Sequence, residues 1–283
     1  MLLLSALGIV MFGLGMSLTL ADFKRVVLMP KAIILGLSIQ TILLTAICAG
    51  IVITLELPPE FAVGMMLLAA APGGASANVF SYLAHGDVAL NITLTAINSV
   101  LALVTLPIIV GVSLKYFVGT DAYVPPPLSK LVEVSLVIVL PVALGMWVRA
   151  KAARFAVAAE PFVRIGSVVV LVTLSLLALW WNRAMLMEHA ASIAGACLLF
   201  NVISMLIGYA LPRMLGLSEA QATAIAMEIG INNAALAMLV AIQVLGKPEY
   251  AVPAAIYAFV MAFTAGLFTL WMWRKQRALA DSV

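Results

Sequence analysis

Charge is scarce in this sequence: of 283 residues only 10% are Asp, Glu, Lys or Arg, whereas 65% are hydrophobic. Ordinary soluble domains carry about 25% charged residues. A water-facing surface cannot be assembled from this composition, and a soluble globular fold is excluded. Cysteine is nearly absent as well. Cys48 and Cys197 both fall in apolar stretches, which argues against a disulfide framework or a thiolate metal centre. Neither sign of charge dominates, because 15 Lys+Arg against 12 Asp+Glu leave a net charge of +3. That is far below the basic surface a nucleic-acid binder needs. The chain also lacks a short charged leader followed by a small-residue cleavage site, so residue 1 onward is expected in the mature protein. Missing too are the alternating runs of about ten residues that mark outer-membrane strands.

What the sequence has is long, continuously apolar runs, each near the roughly 20 residues a spanning helix requires. They predict an all-α polytopic membrane protein with about nine transmembrane helices, at 2–20, 31–55, 60–84, 88–117, 128–150, 161–182, 190–212, 217–243 and 248–273. Pro125-Pro126-Pro127 separates the first four spans from the last five. The loops after spans 1, 3, 5 and 7 and the C-terminus together hold eleven basic residues: Lys24, Arg25, Lys31, Arg149, Lys151, Arg154, Arg164, Arg213, Arg274, Lys275 and Arg277. The opposite side holds four: Lys115, Lys130, Arg183 and Lys247. By the positive-inside rule the N-terminus is expected outside and the C-terminus in the cytoplasm, as in a multi-pass inner-membrane protein. Arg149, Lys151 and Arg154 suit anionic headgroups. Trp180, Trp181, Trp271 and Trp273 fall at span ends, and Tyr and Met elsewhere read as packing.

Two spans are interrupted. Span 3 contains Ala71-Pro72-Gly73-Gly74-Ala75-Ser76-Ala77-Asn78, where a residue without an amide hydrogen and a pair of glycines should break the helix. Span 8 contains Glu228-Ile229-Gly230-Ile231-Asn232-Asn233, polar groups that are costly in hydrocarbon and mark function by default. The two spans run in opposite directions at corresponding places of two halves, as in inverted-repeat secondary transporters. Residues 1–118 (spans 1–4) would be the first repeat, 161–274 (spans 6–9) the second, and span 5 at 128–150 the unpaired helix.

Among the acidic residues Glu228 alone lies deep in a span, with no Lys or Arg at its depth. A carboxylate in that position needs a cation or a proton. Oxygen donors for a hard monovalent cation are at hand in Asn232, Asn233, Asn78, Gln40 and the carbonyls freed between Ile229 and Ile231. In span 4, Asn91, Thr95, Asn98 and Ser99 form a polar stripe. Asn91 and Thr95 follow the first break closely enough to face it. Two half-helix amide ends converge on the middle and suit a small organic anion.

Several segments resemble the bile acid:sodium symporter family. They are Gly13-Leu14-Gly15-Met16 with Leu18 and Leu20-Ala21-Asp22-Phe23, Pro30-Lys31 ahead of Gln40, Pro72 to Val79, Tyr82 to Leu90, and Glu228 to Asn233. The similarity runs over essentially the whole chain and matches a nine-span form. It implies alternating access between a panel domain (spans 1, 5 and 6) and a core domain (spans 2–4 and 7–9). It also implies two sodium ions, the first held by Asn78, Asn91, Thr95 and Glu228. The second would use Gln40, Glu228, the carbonyls of Ile229 and Ile231, and Asn232. Ala77 and Asn91 stand where Ser is common in the family, Asn232 where Gln is common, and Ala75 where Thr often lies near the substrate. The expected function is sodium-coupled symport of a small organic anion, a pantoate-like or keto-acid monocarboxylate within a family that also carries bile acids. Ala75, Ser76 and Asn233 would line its site. The alternative within transport is proton coupling through Glu228. An intramembrane enzyme built on Ser76 is disfavoured because its candidate bases His85 and His189 sit at opposite span ends. No cofactor beyond sodium, no nucleic acid and no obligatory protein partner is expected, only the substrate, Na+ and the bilayer.

Overall fold

The computed structural model describes residues 2–119 and 128–280. Among them every regular element is helical: α1 (Leu2–Ser17), α2 (Leu20–Leu28), α3 (Pro30–Ser38), α4 (Leu44–Thr54), α5 (Pro59–Ala70), α6 (Ala75–Leu83), α7 (Val88–Phe117), α8 (Leu128–Lys151), α9 (Ala153–Trp181), α10 (Arg183–Met214), α11 (Glu219–Gly230), α12 (Ala234–Leu239) and α13 (Val252–Ala280). A π-turn at Ile39–Leu43 joins α3 to α4, another at Val240–Val244 extends α12, and a 3-10 turn at Pro248–Ala251 leads into α13.

Helix starts follow local chemistry. Pro30 and Pro59 occupy first-turn positions, where the missing amide hydrogen is not needed. Ser218 and Gln221 close a capping box on α11, and the Asp87 side chain caps α7 by accepting from the Leu90 amide at 3.0 Å.

Five described helices are long and apolar enough to cross a bilayer: Pro30–Thr54, Val88–Phe117, Ala153–Trp181, Met187–Met214 and Pro248–Ala278. Three of the other four expected spans differ for physical reasons. Two are split into pieces too short to cross alone, and α1 ends after 16 residues. The fourth, α8, is 24 residues long, and the side chains of its first half, with Pro125-Pro126-Pro127 before it, lie outside the described part. Residues 21–28, expected as loop, belong to α2. Hydropathy does not separate a short helix bearing Asp22, Lys24 and Arg25 from a loop.

Burial is inverted relative to a soluble protein. Long helices turn large apolar side chains outward, among them Val104, Ile108 and Val112 on α7 and Phe263 and Leu267 on α13. Among the polar residues that lie inside are Gln40, Asn91, Thr95, Asn201 and Glu228. Every residue of α5 from Phe61 to Ala70 is buried, as is every residue of α11 from Ala222 to Gly230. α11 is enclosed by α10, α7 and α6, and α5 by α7, α4 and α13. Elsewhere α1 packs on α8 and α9. The fold thus places its two broken segments in the centre, where backbone groups must find protein partners because lipid offers none.

Candidate functional site

The two interrupted segments meet at their breaks. Between Ala71 and Gly74 the chain leaves the helix, because Pro72 has no amide hydrogen and Gly73-Gly74 favour extended backbone. Between Ile231 and Asn233 it leaves again. The two extended pieces pair antiparallel through a bridge at Gly73 and Asn232. The Gly74 amide donates to the Ile231 carbonyl at 2.7 Å, and the Asn233 amide to the Pro72 carbonyl at 2.8 Å.

Glu228, 2% exposed, sits one turn before this bridge and points at the other segment. A Cβ on Gly73 would fall onto its carboxylate, so only glycine fits there. Thr95 donates to Glu228 Oε2 at 2.6 Å, whereas Oε1 rests against the Gly73 backbone with no donor in hydrogen-bonding geometry. Among the described residues no Lys, Arg or His lies within ion-pair distance of this carboxylate.

The oxygens expected around it are close, and several have nothing to bond. Asn91, fully buried on α7, donates its amide to the Ala224 carbonyl at 2.8 Å, which leaves Oδ1 unpartnered. Asn78 on α6 likewise has a buried, unpartnered Oδ1. Gln40 lies in the π-turn that joins α3 to α4. Its Nε2 reaches Asn232 Oδ1 at 3.1 Å and the Ala71 carbonyl at 3.3 Å, and its Oε1 has no donor. Buried polar atoms are rarely left so. Four buried acceptors thus lack partners: on Gln40 beside Ala71 and Asn232, on Asn78 in the first turn of α6, on Asn91 beside Ala224, and on Glu228. Carboxylate, amide and carbonyl oxygens are the donor set of a hard cation. No group of three His, Cys, Asp or Glu side chains occurs among the described residues, so amide and hydroxyl oxygens would have to complete such a site.

Other expected residues have more constrained roles. Ile229 lies in the last turn of α11, and the Ile231 carbonyl is already engaged by Gly74. Asn232 is buried, with its Nδ2 unpartnered. Asn233 caps α12, accepting from the Leu236 amide at 3.0 Å, which fixes the direction of its own amide group. Ser76 is half-buried in the first turn of α6, and the side chain of Ala75 lies outside the described part.

The sequence reading missed a second polar network behind the crossing. Asn201 Nδ2 and the Tyr257 hydroxyl donate to the Gly230 carbonyl at 2.7 and 2.9 Å, and Thr264 donates to Asn201 Oδ1 at 2.5 Å. Tyr257, read as packing, is instead a donor to the carbonyl that α11 frees where it ends. Its signal is weak, since an isolated Asn or Tyr in an apolar span does not say what it faces.

The comparisons with known proteins bear on the same region. The profile of the Sodium Bile acid symporter family matches residues 4–189. A probable chloroplast sodium/metabolite cotransporter of Arabidopsis thaliana is 30% identical over 270 residues, 95% of this chain and 66% of its own length. An uncharacterized sodium-dependent transporter of Bacillus subtilis is 30% identical over 277 residues, 98% of this chain and 84% of its own. A human sodium-dependent organic anion transporter is 29% identical over 102 residues, 36% of this chain and 27% of its own. The chain thus spans somewhat less than two thirds of the plant protein's length and most of the bacterial one's. The relatives are transporters and not enzymes, and the match reaches across both broken helices. Crossed breaks, a buried carboxylate and that similarity lead to one assignment: the chain belongs to the Sodium Bile acid symporter family.

Proposed function

We propose that the protein is a secondary active transporter that carries out sodium-coupled symport of a small organic anion by alternating access. One observation carries the reading. Among the described residues Glu228 is a buried carboxylate with no cationic side chain in ion-pair distance, where two broken helices cross, and Gln40, Asn78 and Asn91 on the neighbouring elements each keep a buried oxygen without a partner. A monovalent cation supplies the missing charge and uses those oxygens. On this reading Asn78, Asn91, Thr95 and Glu228 form one sodium site. Gln40, Glu228, the Ile229 and Ile231 carbonyls and Asn232 form the other. The similarity to a plant sodium/metabolite cotransporter and to bacterial and human sodium-dependent transporters supports the coupling.

The same proposal gives nine spans, with α1, α8 and α9 as the panel and the remaining helices as the core. Support comes from the packing of α1 on α8 and α9. The division of Lys and Arg supports an inner-membrane protein with its N-terminus outside. The substrate is a monocarboxylate with hydrophilic groups, held near Ala75, Ser76 and Asn233. No basic side chain stands at the crossing to grip a second acidic group.

Sodium should raise the melting temperature of the wild type over potassium at equal ionic strength. At a hundredfold excess over Kd, binding to the folded state stabilises by about 2.7 kcal/mol. Glu228→Gln should remove most of that difference, Gln40→Ala and Thr95→Ala part of it each. Equal melting curves in the two salts would sink sodium coupling. Transport that follows pH and ignores sodium would then assign Glu228 to a proton.

A further inference from the structure

α7 and α11 are joined by a regular ladder that the proposed sodium sites do not account for. The Asp87 amide donates to the Ala220 carbonyl at 2.8 Å, the Asn91 side chain to the Ala224 carbonyl at 2.8 Å, and Thr95 to the Glu228 carboxylate at 2.6 Å. Each step advances four residues on both helices in the same direction, so the two run parallel with one polar contact per turn. Eight residues of helix cover about 12 Å, the distance from the carboxylate to the end of the molecule at Asp87.

The third wall of this seam is α6, and it is lined with groups that have nothing to bond. Ser81 on α6 and Thr223 on α11 are both fully buried, and neither hydroxyl has a hydrogen-bond partner. The two side chains meet at Gly86, where a Cβ would stand 2.6 Å from Ser81 Oγ and 3.1 Å from the Thr223 methyl carbon. The α6 terminus is wound tightly around the same point. His85 takes a positive φ of 58°, and the Gly86 amide reaches back to the Ser81 carbonyl at 2.7 Å. Buried acceptors without a partner thus recur along α11 and its neighbours, at Glu228, at Asn91 beside Ala224 and at Thr223, with Ser81 next to the partly exposed Gly86-Asp87 turn. A helical serine or threonine in an apolar span can usually bond its own preceding turn, as Thr93, Ser99 and Ser113 do here. Ser81 and Thr223 do not.

We propose that this seam is a separate path for the cation, with Ser81 and Thr223 forming a relay site for a partly dehydrated monovalent cation between Glu228 and the Asp87 end. Hydroxyl and amide oxygens replace hydration water stepwise there, while the substrate uses the crossing itself. The inference rests on the cation reading of Glu228. A residue on a path, unlike a ligand of the final site, changes entry and exit rates together and leaves the equilibrium constant alone.

Two measurements on the full-length protein test it. In the first, sodium association and dissociation are followed by stopped flow for Ser81→Ala and Thr223→Val. Both rates should fall by the same factor, roughly fivefold, with Kd within about twofold of wild type. In the second, Ser81→Cys is exposed to methanethiosulfonates of similar size bearing an ammonium or a sulfonate. The cationic reagent should label roughly tenfold faster. Wild-type rates in both variants, or a Kd that rises with association unchanged, would overturn the path. So would a Ser81→Cys thiol that neither reagent reaches, which is the result for hydroxyls that only hold a structural water. If the wild type ignores sodium, the sodium sites fail, and the charge preference of labelling still decides the seam.

Discussion

The two breaks reach the same geometry by different means. At 71–74 the interruption is covalent in origin, since Pro72 removes a helix hydrogen bond and two glycines follow it. At 231–233 the residues are Ile, Asn and Asn, none of which forbids a helix. There the chain is turned by its surroundings. Asn201 and Tyr257 occupy the Gly230 carbonyl, Gln40 holds the Asn232 side chain, and the Asn233 side chain starts the next helix. The first break is encoded by residues that cannot continue a helix, the second by Gly230 and the Asn233 cap together with tertiary contacts. The second also carries the carboxylate, so the surroundings of Glu228 depend in part on distant residues that local sequence does not reveal.

Gly73→Ala should have the largest effect, because its Cβ enters the Glu228 carboxylate from the locally encoded side. Overpacking of this kind costs about 1–3 kcal/mol, and it displaces the one anionic group both proposed sites share. Loss of the sodium-dependent thermal shift checks it. A normal shift would mean that the two breaks do not touch as described. Tyr257→Phe combined with Asn201→Leu should come next. It leaves the Gly230 carbonyl buried without a donor, a loss of about 1–2 kcal/mol, and should weaken sodium binding without either residue touching the ion. Unchanged sodium affinity would show that the second break stands on its own. Pro72→Ala should matter least, within about 1 kcal/mol, because the bridge to Ile231 and Asn233 holds the first break once folded. A sharper version of the contrast uses isolated segments in micelles: residues 59–83 should keep their interruption by NMR, whereas residues 219–244 should form one continuous helix.

Much of this was legible in the sequence, and the remainder failed for identifiable reasons. The position of the first break, the isolation of Glu228 and the polar stripe containing Asn91 and Thr95 followed from composition and spacing, because polar groups in apolar spans are conspicuous. The π-turn that presents Gln40 was not legible, since Ile39 to Leu43 is an ordinary apolar run with one amide in it. Tyr257 was misread because its ring buries like any aromatic and only the hydroxyl has a task. Ser81 and Thr223 drew no notice, as small hydroxyl residues in membranes usually bond their own helix. Their hydroxyls, like those of Thr41 and Thr45, lack that bond, and only three-dimensional placement shows it.

The bridge between Gly73 and Asn232 has a mechanical consequence. Two backbone hydrogen bonds, closed off from water, tie four half-helices into a single joint. Separating them would strand four polar groups where each costs several kcal/mol. The joint therefore resists bending and transmits force. A push on any one half-helix displaces the other three together, like the arms of a rigid cross.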